Sequence, residues 1–328
     1  MDQIVPTLIV LKFTLVEILK FFPIFVRSIV SFFIPKSRKN VSGQLALITG
    51  GSEGLGRSIA FRLAQEGCNI AIANRNLEKG QKTAEEIRKK FNVKVQAFQC
   101  DVSKFENVRR LKEEVKKSLG TVDLLINNAG LLAVENSTLE GNDEDYQNIV
   151  DVNMTSWIFT TRAFLPDMIQ QRRGHIVGIS SLSVMCPIIC STAYISTKYA
   201  NAGFMDGLRE DMNLYGFSDF IKITTAFPGF IKTNDEYHEK ILSNFQDCLV
   251  RANESEFVAD KIVDGILKDF KTVYVSMYEK IYSRVFNSLP SEIKDQCFKS
   301  AMKSDKRDQF IKMKLKQCKL IQNDSAAY

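Results

Sequence analysis

The feature that most constrains the fold is a short apolar run that leads directly into a glycine-rich turn. Residues 44–49 (Q-L-A-L-I-T) suit a buried strand, and residues 57–65 form an amphipathic pattern that predicts a helix. Between them stand Gly50, Gly51, Gly54 and Gly56. A strand, a glycine turn and a helix in this order allow backbone N–H groups and a helix N-terminus to meet a pyrophosphate. The combination favours a dinucleotide site over a merely flexible loop.

Beyond this turn, short apolar runs alternate with stretches of helical periodicity. Residues 69–73, 93–99, 124–126, 175–179 and 221–226 predict strands, and residues 77–90, 105–119, 144–171 and 194–215 predict helices. This alternation predicts an α/β fold with a doubly wound parallel sheet that is covered on both faces. Because the crossovers are right-handed, the carboxyl ends of the strands meet at one edge, where all the motifs are expected.

A second feature, between residues 181 and 198, suits proton transfer to and from an alcohol oxygen. Tyr194 and Lys198 lie one helical turn apart, and Ser181 lies thirteen residues before the tyrosine. A free phenol titrates near pH ~10, and an ammonium on the same helix face stabilises the phenolate. A nearby serine hydroxyl would hold the substrate oxygen in line with the phenol. Taken alone, the spacing also fits a half-buried tyrosine beside a solvated lysine.

Together the motifs resemble the short-chain dehydrogenase/reductase family from residue 41 to residue 233. The glycine spacing is T-G-x-x-x-G-x-G, C-D-V-S contains Asp101, N-N-A-G spans residues 127–130, D-V-N-M contains Asn153, and P-G-F-I-K-T spans residues 228–233. Within the family, F-L-P-D-M-I, G-H-I-V and G-F-M-D-G-L-R-E-D-M are similar to a membrane-associated group of retinol and 17-beta-hydroxysteroid dehydrogenases. That group is found on the endoplasmic reticulum and on lipid droplets.

The resemblance implies a Rossmann-like fold and a role for each motif. It makes Asn153, Ser181, Tyr194 and Lys198 the catalytic residues, with Tyr194 as acid and base and Asn153 holding a water in a proton relay. It assigns to the cofactor Gly50, Ser52, Gly54, Leu55, Gly56, Asn74, Arg75, Asp101, Val102, Asn127, Ala129, Gly130, Tyr194, Lys198, Pro228, Gly229, Ile231 and Thr233. No metal site is expected, because the chain has two histidines and its seven cysteines show no zinc spacing.

The choice between NADP(H) and NAD(H) depends on the residues that follow the second strand. An NAD-preferring enzyme places a carboxylate there to hold both ribose hydroxyls, and that carboxylate repels a 2′-phosphate. Here the sequence is A-N-R-N, so Asn74 stands in place of the acid and Arg75 follows it. Arginine suits a phosphate, so NADP(H) is favoured and NAD(H) stays possible. Glu53 in the glycine turn argues in the opposite direction.

The first 38 residues have a different character. Apolar residues dominate them, but Lys12, Glu17, Lys20 and Arg27 interrupt every run and fall on one helical face. This pattern predicts a helix that lies in a membrane interface, with a spanning anchor as the alternative. The basic K-S-R-K sequence that follows Pro35 suits a cytosolic lipid surface. We therefore expect attachment to the endoplasmic reticulum membrane or to lipid droplets, with the catalytic domain in the cytosol.

These patterns divide the chain into an anchor at residues 1–38, a catalytic domain at residues 41–298 and a basic tail at residues 299–328. Within the domain, residues 41–180 would bind the cofactor, and residues 181–298 would hold the catalytic helix and the substrate. Residues 234–253 are expected to form a substrate lid, residues 257–270 a helix and residues 272–276 the last strand. Residues 278–289 show apolar helical spacing, which fits either core packing or a second membrane contact.

The sequence therefore predicts an oxidoreductase that interconverts a lipophilic alcohol and its aldehyde or ketone, such as a retinoid, a steroid or a fatty acyl derivative. The alternative is a membrane or lipid-droplet scaffold that keeps the fold and has little catalysis, but such a protein has no need of all four catalytic residues. The net charge of +6 is dispersed over helix faces, so no nucleic-acid partner is expected. A homodimer is expected. The substrate and the direction of the reaction stay open.

Overall fold

In the computed structural model the chain divides into two compact units, Met1–Lys39 and Asn40–Tyr328. The structure describes residues 21–23, 26, 36–132, 142–185, 191–232 and 252–300. Most of the expected anchor, of the expected lid and of the expected tail lies outside these ranges. Within them, none of the helices combines the length and the hydropathy needed to cross a bilayer.

The second unit is built on a parallel sheet. Its strands are β1 (Leu45–Thr49), β2 (Asn69–Asn74), β3 (Val95–Gln99), β4 (Leu124–Asn127), β5 (Gly174–Ile179), β6 (Ile221–Phe227) and β9 (Thr272–Tyr274), and a separate small pair joins β7 (Ile231–Lys232) to β8 (Asn253–Glu254). The strand order is β3-β2-β1-β4-β5-β6-β9, with every pair parallel. The direction of winding reverses between β1 and β4, which is where ligands bind in sheets of this kind. The prediction of a doubly wound parallel sheet is confirmed.

Helices cover both faces of the sheet. They are α1 (Gly54–Gln65), α2 (Leu77–Lys90), α3 (Phe105–Ser118), α4 (Asp143–Val150), α5 (Ser156–Gln170), α6 (Thr192–Leu214), α7 (Ser255–Leu267), α8 (Met277–Ser288) and α9 (Ser291–Ser300). One apolar cluster draws on α1, α2 and α7, and the other on α3, α5 and α6. Alternate residues of β1 serve the two clusters, since Ala46 and Ile48 join the first while Leu45 and Leu47 join the second.

Among the differences between the predicted and the observed elements, three concern segments next to the candidate site. The single helix predicted for residues 144–171 is divided by a π-helical turn, Asp151–Thr155, between α4 and α5. The first helix begins at Gly54, inside the glycine turn, and not at residue 57. The last strand ends at Tyr274, because the Ser276 side chain accepts a hydrogen bond from the Glu279 N–H and starts α8.

One close contact determines how α5 sits against the sheet. The Trp157 ring of α5 is fully buried and packs against Gly178 of β5, where an added Cβ atom would lie 2.3 Å from the ring. A glycine at this strand position therefore creates the space that the indole fills. The contact helps to position α5 beside the strand that leads to the candidate catalytic residues.

We predict that Gly178→Ala lowers the free energy of unfolding by about 1–3 kcal/mol, because the methyl group would overlap the Trp157 ring. Trp157 is the sole tryptophan of the chain, so its fluorescence reports unfolding in a urea titration. Gly207→Ala is the matched control. That glycine lies in α6 with open space around its Cα atom, so the same substitution should raise stability by about 0.5–1 kcal/mol. Equal effects from the two variants would contradict the packing argument.

Candidate active site

The glycine turn after β1 is shaped by backbone conformation and by close approach. Gly50 and Gly54 have φ angles of +64° and +52°, which L side chains rarely adopt. Gly56 is required for a different reason, because a Cβ atom there would lie 2.2 Å from the Gly50 carbonyl oxygen. The turn therefore folds back on itself, with Glu53 and Gly54 exposed at its tip.

The turn is braced by residues that the sequence prediction left out. The Asn128 side-chain amide donates to the carbonyl oxygens of Thr49 and Gly50 at 3.0 and 3.2 Å. In return, the Thr49 hydroxyl accepts hydrogen bonds from the backbone N–H groups of Asn128 and Ala129 at 3.0 and 3.1 Å. The predicted cofactor residues of the turn and of the N-N-A-G segment are thus joined into one surface at the carboxyl edge of the sheet.

Two of the buried polar groups that have no hydrogen-bond partner among the described residues lie beside the glycine turn. They are the Ser52 hydroxyl and the side-chain nitrogen of Asn127, whose oxygen accepts from the Thr160 hydroxyl at 2.8 Å. A buried donor without a partner costs free energy, and a ligand hydroxyl or phosphate would satisfy it. Together with the exposed tip of the turn, these groups fit a dinucleotide.

Asn153 links the N-N-A-G segment to the catalytic helix. It lies fully buried in the π-helical turn, where its oxygen accepts from the Leu131 N–H at 2.6 Å and its nitrogen donates to the Leu131 carbonyl at 2.9 Å. The same nitrogen lies 3.2 Å from the Thr197 hydroxyl, and the Asn201 side chain donates to the Asn153 carbonyl at 2.9 Å. One residue therefore fixes α6 against the strand end.

The structure brings Ser181, Tyr194 and Lys198 together. The Ser181 and Tyr194 side chains are hydrogen-bonded to each other. The Lys198 ammonium is buried, donates to the Ile179 carbonyl at 3.0 Å and lies 5.4 Å from the centre of the tyrosine ring. A Cβ atom at Gly130 would lie 3.6 Å from this ammonium, so the lysine also reaches the N-N-A-G segment.

The electrostatics differ from the sequence expectation. Burial raises the pKa of Tyr194 above its ordinary value of 10.0, and the hydrogen bond with Ser181 opposes this rise. Burial also lowers the pKa of Lys198 from 10.5 to about 8. The expectation that Lys198 lowers the pKa of the tyrosine finds no support here, because the ammonium lies over the ring and bonds to a backbone carbonyl.

The turn after β6 closes the other side of the site. The Leu182 N–H donates to the Pro228 carbonyl at 2.9 Å, which ties the segment after Ser181 to this turn. A Cβ atom at Gly229 would lie 2.8 Å from a carboxylate oxygen of Glu279, a residue of α8 that the sequence prediction did not single out. Burial raises the pKa of Glu279, against the effect of two backbone N–H donors. Ile231 lies in β7, and Thr233 lies outside the described residues.

The residues after β2 and β3 lie at the far end of the candidate cofactor site. Asn74 donates through its side chain to the Asn76 carbonyl at 3.0 Å, and Gln99 donates to the Arg75 carbonyl at 3.3 Å. Arg75 itself is exposed. Asp101 accepts from the N–H and the hydroxyl of Ser103 at 3.0 and 2.7 Å through one oxygen. Val102 and Leu55 pack into the apolar clusters on opposite faces of the sheet.

The comparisons with known proteins agree with this geometry. The sequence matches the model of the short chain dehydrogenases over residues 44–240. Human epidermal retinol dehydrogenase 2 is 33% identical over 259 residues, which are 77% of this chain and 80% of that protein. Human 17-beta-hydroxysteroid dehydrogenase 13 is 32% identical over 266 residues, which are 81% of this chain and 86% of that protein.

Solved structures show the same fold. A metagenomic short-chain oxidoreductase in complex with NADP aligns with a TM-score of 0.58 and 26% identity, and covers 70% of this chain and 92% of its own. A short chain dehydrogenase/reductase from Burkholderia phymatum in complex with NAD aligns with a TM-score of 0.66 and 20% identity, and covers 75% of this chain and 93% of its own.

The buried ammonium gives a prediction about pH. Because the folded pKa of Lys198, about 8, is below the ordinary 10.5, the unfolded chain binds more protons between these values. The cost of burying the charge is therefore fully present below pH 8, and stability recovers as pH rises toward 10.5. Lys198→Met removes this titration, so we expect the stability of the variant relative to wild type to fall by about 3 kcal/mol across that window.

The measurement is the free energy of unfolding of both proteins from urea titrations at several pH values between 7 and 10.5. Comparing the two proteins at each pH cancels the other titrating groups that they share. A difference between them that does not change with pH would show that the ammonium is not desolvated.

Proposed function

Because the chain belongs to the short chain dehydrogenase family and is an oxidoreductase of CH–OH groups, we propose that it interconverts a lipophilic alcohol and its aldehyde or ketone with NADP(H). One observation carries this proposal. Ser181 and Tyr194 are hydrogen-bonded to each other beside the buried Lys198 ammonium, and Asn153 holds the helix of Tyr194 and Lys198 in place.

In the proposed reaction, Tyr194 transfers the proton and Ser181 holds the substrate oxygen. The nicotinamide, when bound, supplies or accepts the hydride. In reduction, the phenol donates its proton to the carbonyl oxygen while the Ser181 hydroxyl donates a hydrogen bond to the same atom. In oxidation the same proton returns to the tyrosine. The Lys198 ammonium would bind the ribose of the nicotinamide, and the Pro228–Gly229 turn would close the pocket on the opposite side.

The tyrosine can act as the acid in carbonyl reduction. Because burial raises the pKa of Tyr194, its phenol keeps the proton at neutral pH. Carbonyl reduction consumes one proton and one hydride, and the phenol would supply the proton.

The preference for NADP(H) rests on the residues that follow β2. Asn74 lacks the carboxylate that would repel a 2′-phosphate, and the adjacent Arg75 guanidinium is exposed at the same position. The two solved structures described above hold NADP and NAD respectively, so the fold accommodates either nucleotide. The residues of this chain favour NADP(H).

The substrate class is proposed from the relatives and from the apolar wall beside Ser181. The relatives named above are a retinol dehydrogenase and a 17-beta-hydroxysteroid dehydrogenase. In this chain Leu182 and Val184 are buried directly after the catalytic serine. A retinoid, a steroid or a fatty acyl derivative suits such a wall. A scaffold without catalysis is disfavoured, because burial of the Lys198 ammonium lowers the stability of the fold.

Membrane attachment is also proposed. The anchor at residues 1–38 is supported by the sequence pattern, and α8 supplies a further observation. Met277, Tyr278, Ile281 and Val285 lie on one face of α8 and are each more than half exposed, while Phe286 on the opposite face is buried. The buried face of α8 thus packs against the domain, and its exposed apolar face is available for contact with a membrane. We propose the cytosolic surface of the endoplasmic reticulum or of lipid droplets. The homodimer stays a prediction.

We expect Tyr194→Phe to lower kcat for retinal or steroid ketone reduction by about 10²–10⁴-fold, because the phenol that donates the proton is removed. The ring is kept, so binding of NADP⁺ by isothermal titration calorimetry should stay within about twofold of wild type. Tyr199→Phe is the control, since that hydroxyl belongs to the same helix but is exposed. Turnover near the wild-type rate in Tyr194→Phe would contradict the mechanism.

We expect deletion of residues 1–38 to move most of the protein from sedimenting liposomes to the supernatant, since an inserted apolar face gains about 25 cal/mol per Å². In the shortened protein, Ile281→Ser with Val285→Ser should remove the remaining binding. Both residues are exposed, so the circular dichroism spectrum should not change. Sedimentation that is unaffected by either change would contradict membrane attachment through these surfaces.

A further inference from the structure

An ion pair joins the glycine turn to α2 in a way that the sequence did not suggest. The Lys79 ammonium lies 2.9 Å from a carboxylate oxygen of Glu53, with 56% and 69% of the two side chains exposed. Exposed ion pairs add little to folding stability. The consequence of this pair is therefore the charge that it leaves at the surface of the turn.

The pair is one of two neighbouring contacts between the same segments. Four residues after Lys79, on the same face of α2, the Thr83 hydroxyl donates to the Ser52 carbonyl at 2.9 Å. Ser52 and Glu53 are consecutive, so two successive turns of α2 hold two successive residues of the glycine turn. The Ser52 hydroxyl, buried and without a partner among the described residues, lies at the same place.

Lys79 is also close to the residues after β2 on which the preference between NADP(H) and NAD(H) depends. Its backbone N–H donates to the Asn76 side chain at 3.0 Å, and Asn76 directly follows Arg75. Lys79 thus contacts both Glu53 and the residue that follows Arg75, near the carboxyl end of β2, where a dinucleotide ribose lies in folds of this kind. Glu53, Arg75 and Lys79 together carry a net charge of +1, whereas Glu53 and Arg75 alone carry zero.

We propose, on the basis of the proposed function, that Lys79 determines nucleotide specificity by pairing with Glu53. The pair cancels a carboxylate that would otherwise repel the 2′-phosphate of NADP(H) and hold the ribose hydroxyls of NAD(H). Glu53, which by sequence alone favours NAD(H), is thereby made compatible with NADP(H). Lys79 acts through Glu53, so it is a positioning residue and not a phosphate ligand.

The test is equilibrium binding of NADP⁺ and NAD⁺ to the full-length protein in detergent, measured by isothermal titration calorimetry. Lys79→Met should weaken NADP⁺ binding about tenfold, because the freed Glu53 carboxylate would repel the 2′-phosphate. NAD⁺ binding should be kept or strengthened, because the same carboxylate could accept hydrogen bonds from the ribose hydroxyls. Adding Glu53→Gln to that variant should restore NADP⁺ binding to within about threefold of wild type. Glu53→Gln alone should keep or strengthen NADP⁺ binding.

Lys89→Met is the matched control, because Lys89 is an exposed lysine of the same helix, ten residues further along. It should leave both affinities unchanged. An equal loss for both nucleotides in Lys79→Met would show a merely structural role and overturn the inference. A loss of NADP⁺ binding that Glu53→Gln does not restore would overturn it too, because Lys79 would then act on the phosphate directly.

These outcomes separate the inference from the proposed function. A wild-type protein that prefers NAD⁺ would contradict only the proposed preference for NADP(H). The recovery of NADP⁺ affinity when Glu53→Gln is added to Lys79→Met would still be expected. A wild-type protein that binds neither nucleotide would contradict both.

Discussion

The geometry of the candidate active site depends on the hydrogen bonds that one buried residue, Asn153, forms. Its side chain and backbone hydrogen-bond to Leu131, Thr197 and Asn201, which belong to the strand end and to the catalytic helix. Leaving such a group unpaired would cost about 1–3 kcal/mol, so the partners cannot move independently. The π-helical turn at Asp151–Thr155 directs the amide toward them. The π-helical turn thus fixes the distance between the segment that follows β4 and α6.

The fold and the positions of the motifs could be predicted from the sequence, because they depend on local patterns. Strand and helix periodicity gave the parallel sheet, and the parallel sheet places the glycine turn, the N-N-A-G segment and Ser181 at one edge. The π-helical turn was not predicted, since no periodicity distinguishes it from an α-helix. The helix start at Gly54 was missed because a glycine turn does not show where its last residues become helical.

The contacts that complete the site could not be predicted, because their partners are far apart in the sequence. Asn128 braces Thr49 and Gly50 across 79 and 78 residues, and the Glu279 carboxylate lies against Gly229. The direction of the pKa shift of Tyr194 could not be predicted from the sequence either. Helical spacing places Lys198 on the face of Tyr194, but only the packed structure shows the ammonium over the ring, bonded to the Ile179 carbonyl. Burial, which no spacing reveals, then has the largest effect on both pKa values.

The measurement that tests the central claim most directly follows a deuterium atom. The purified full-length protein in detergent would be given NADPH that carries deuterium at one or the other position of the nicotinamide C4, together with retinal or a 17-keto steroid. The account predicts that one of the two labelled samples transfers deuterium to the carbinol carbon of the product, as seen by mass spectrometry. An alcohol product without deuterium from either sample, or no alcohol at all while NADPH is bound, would contradict the account.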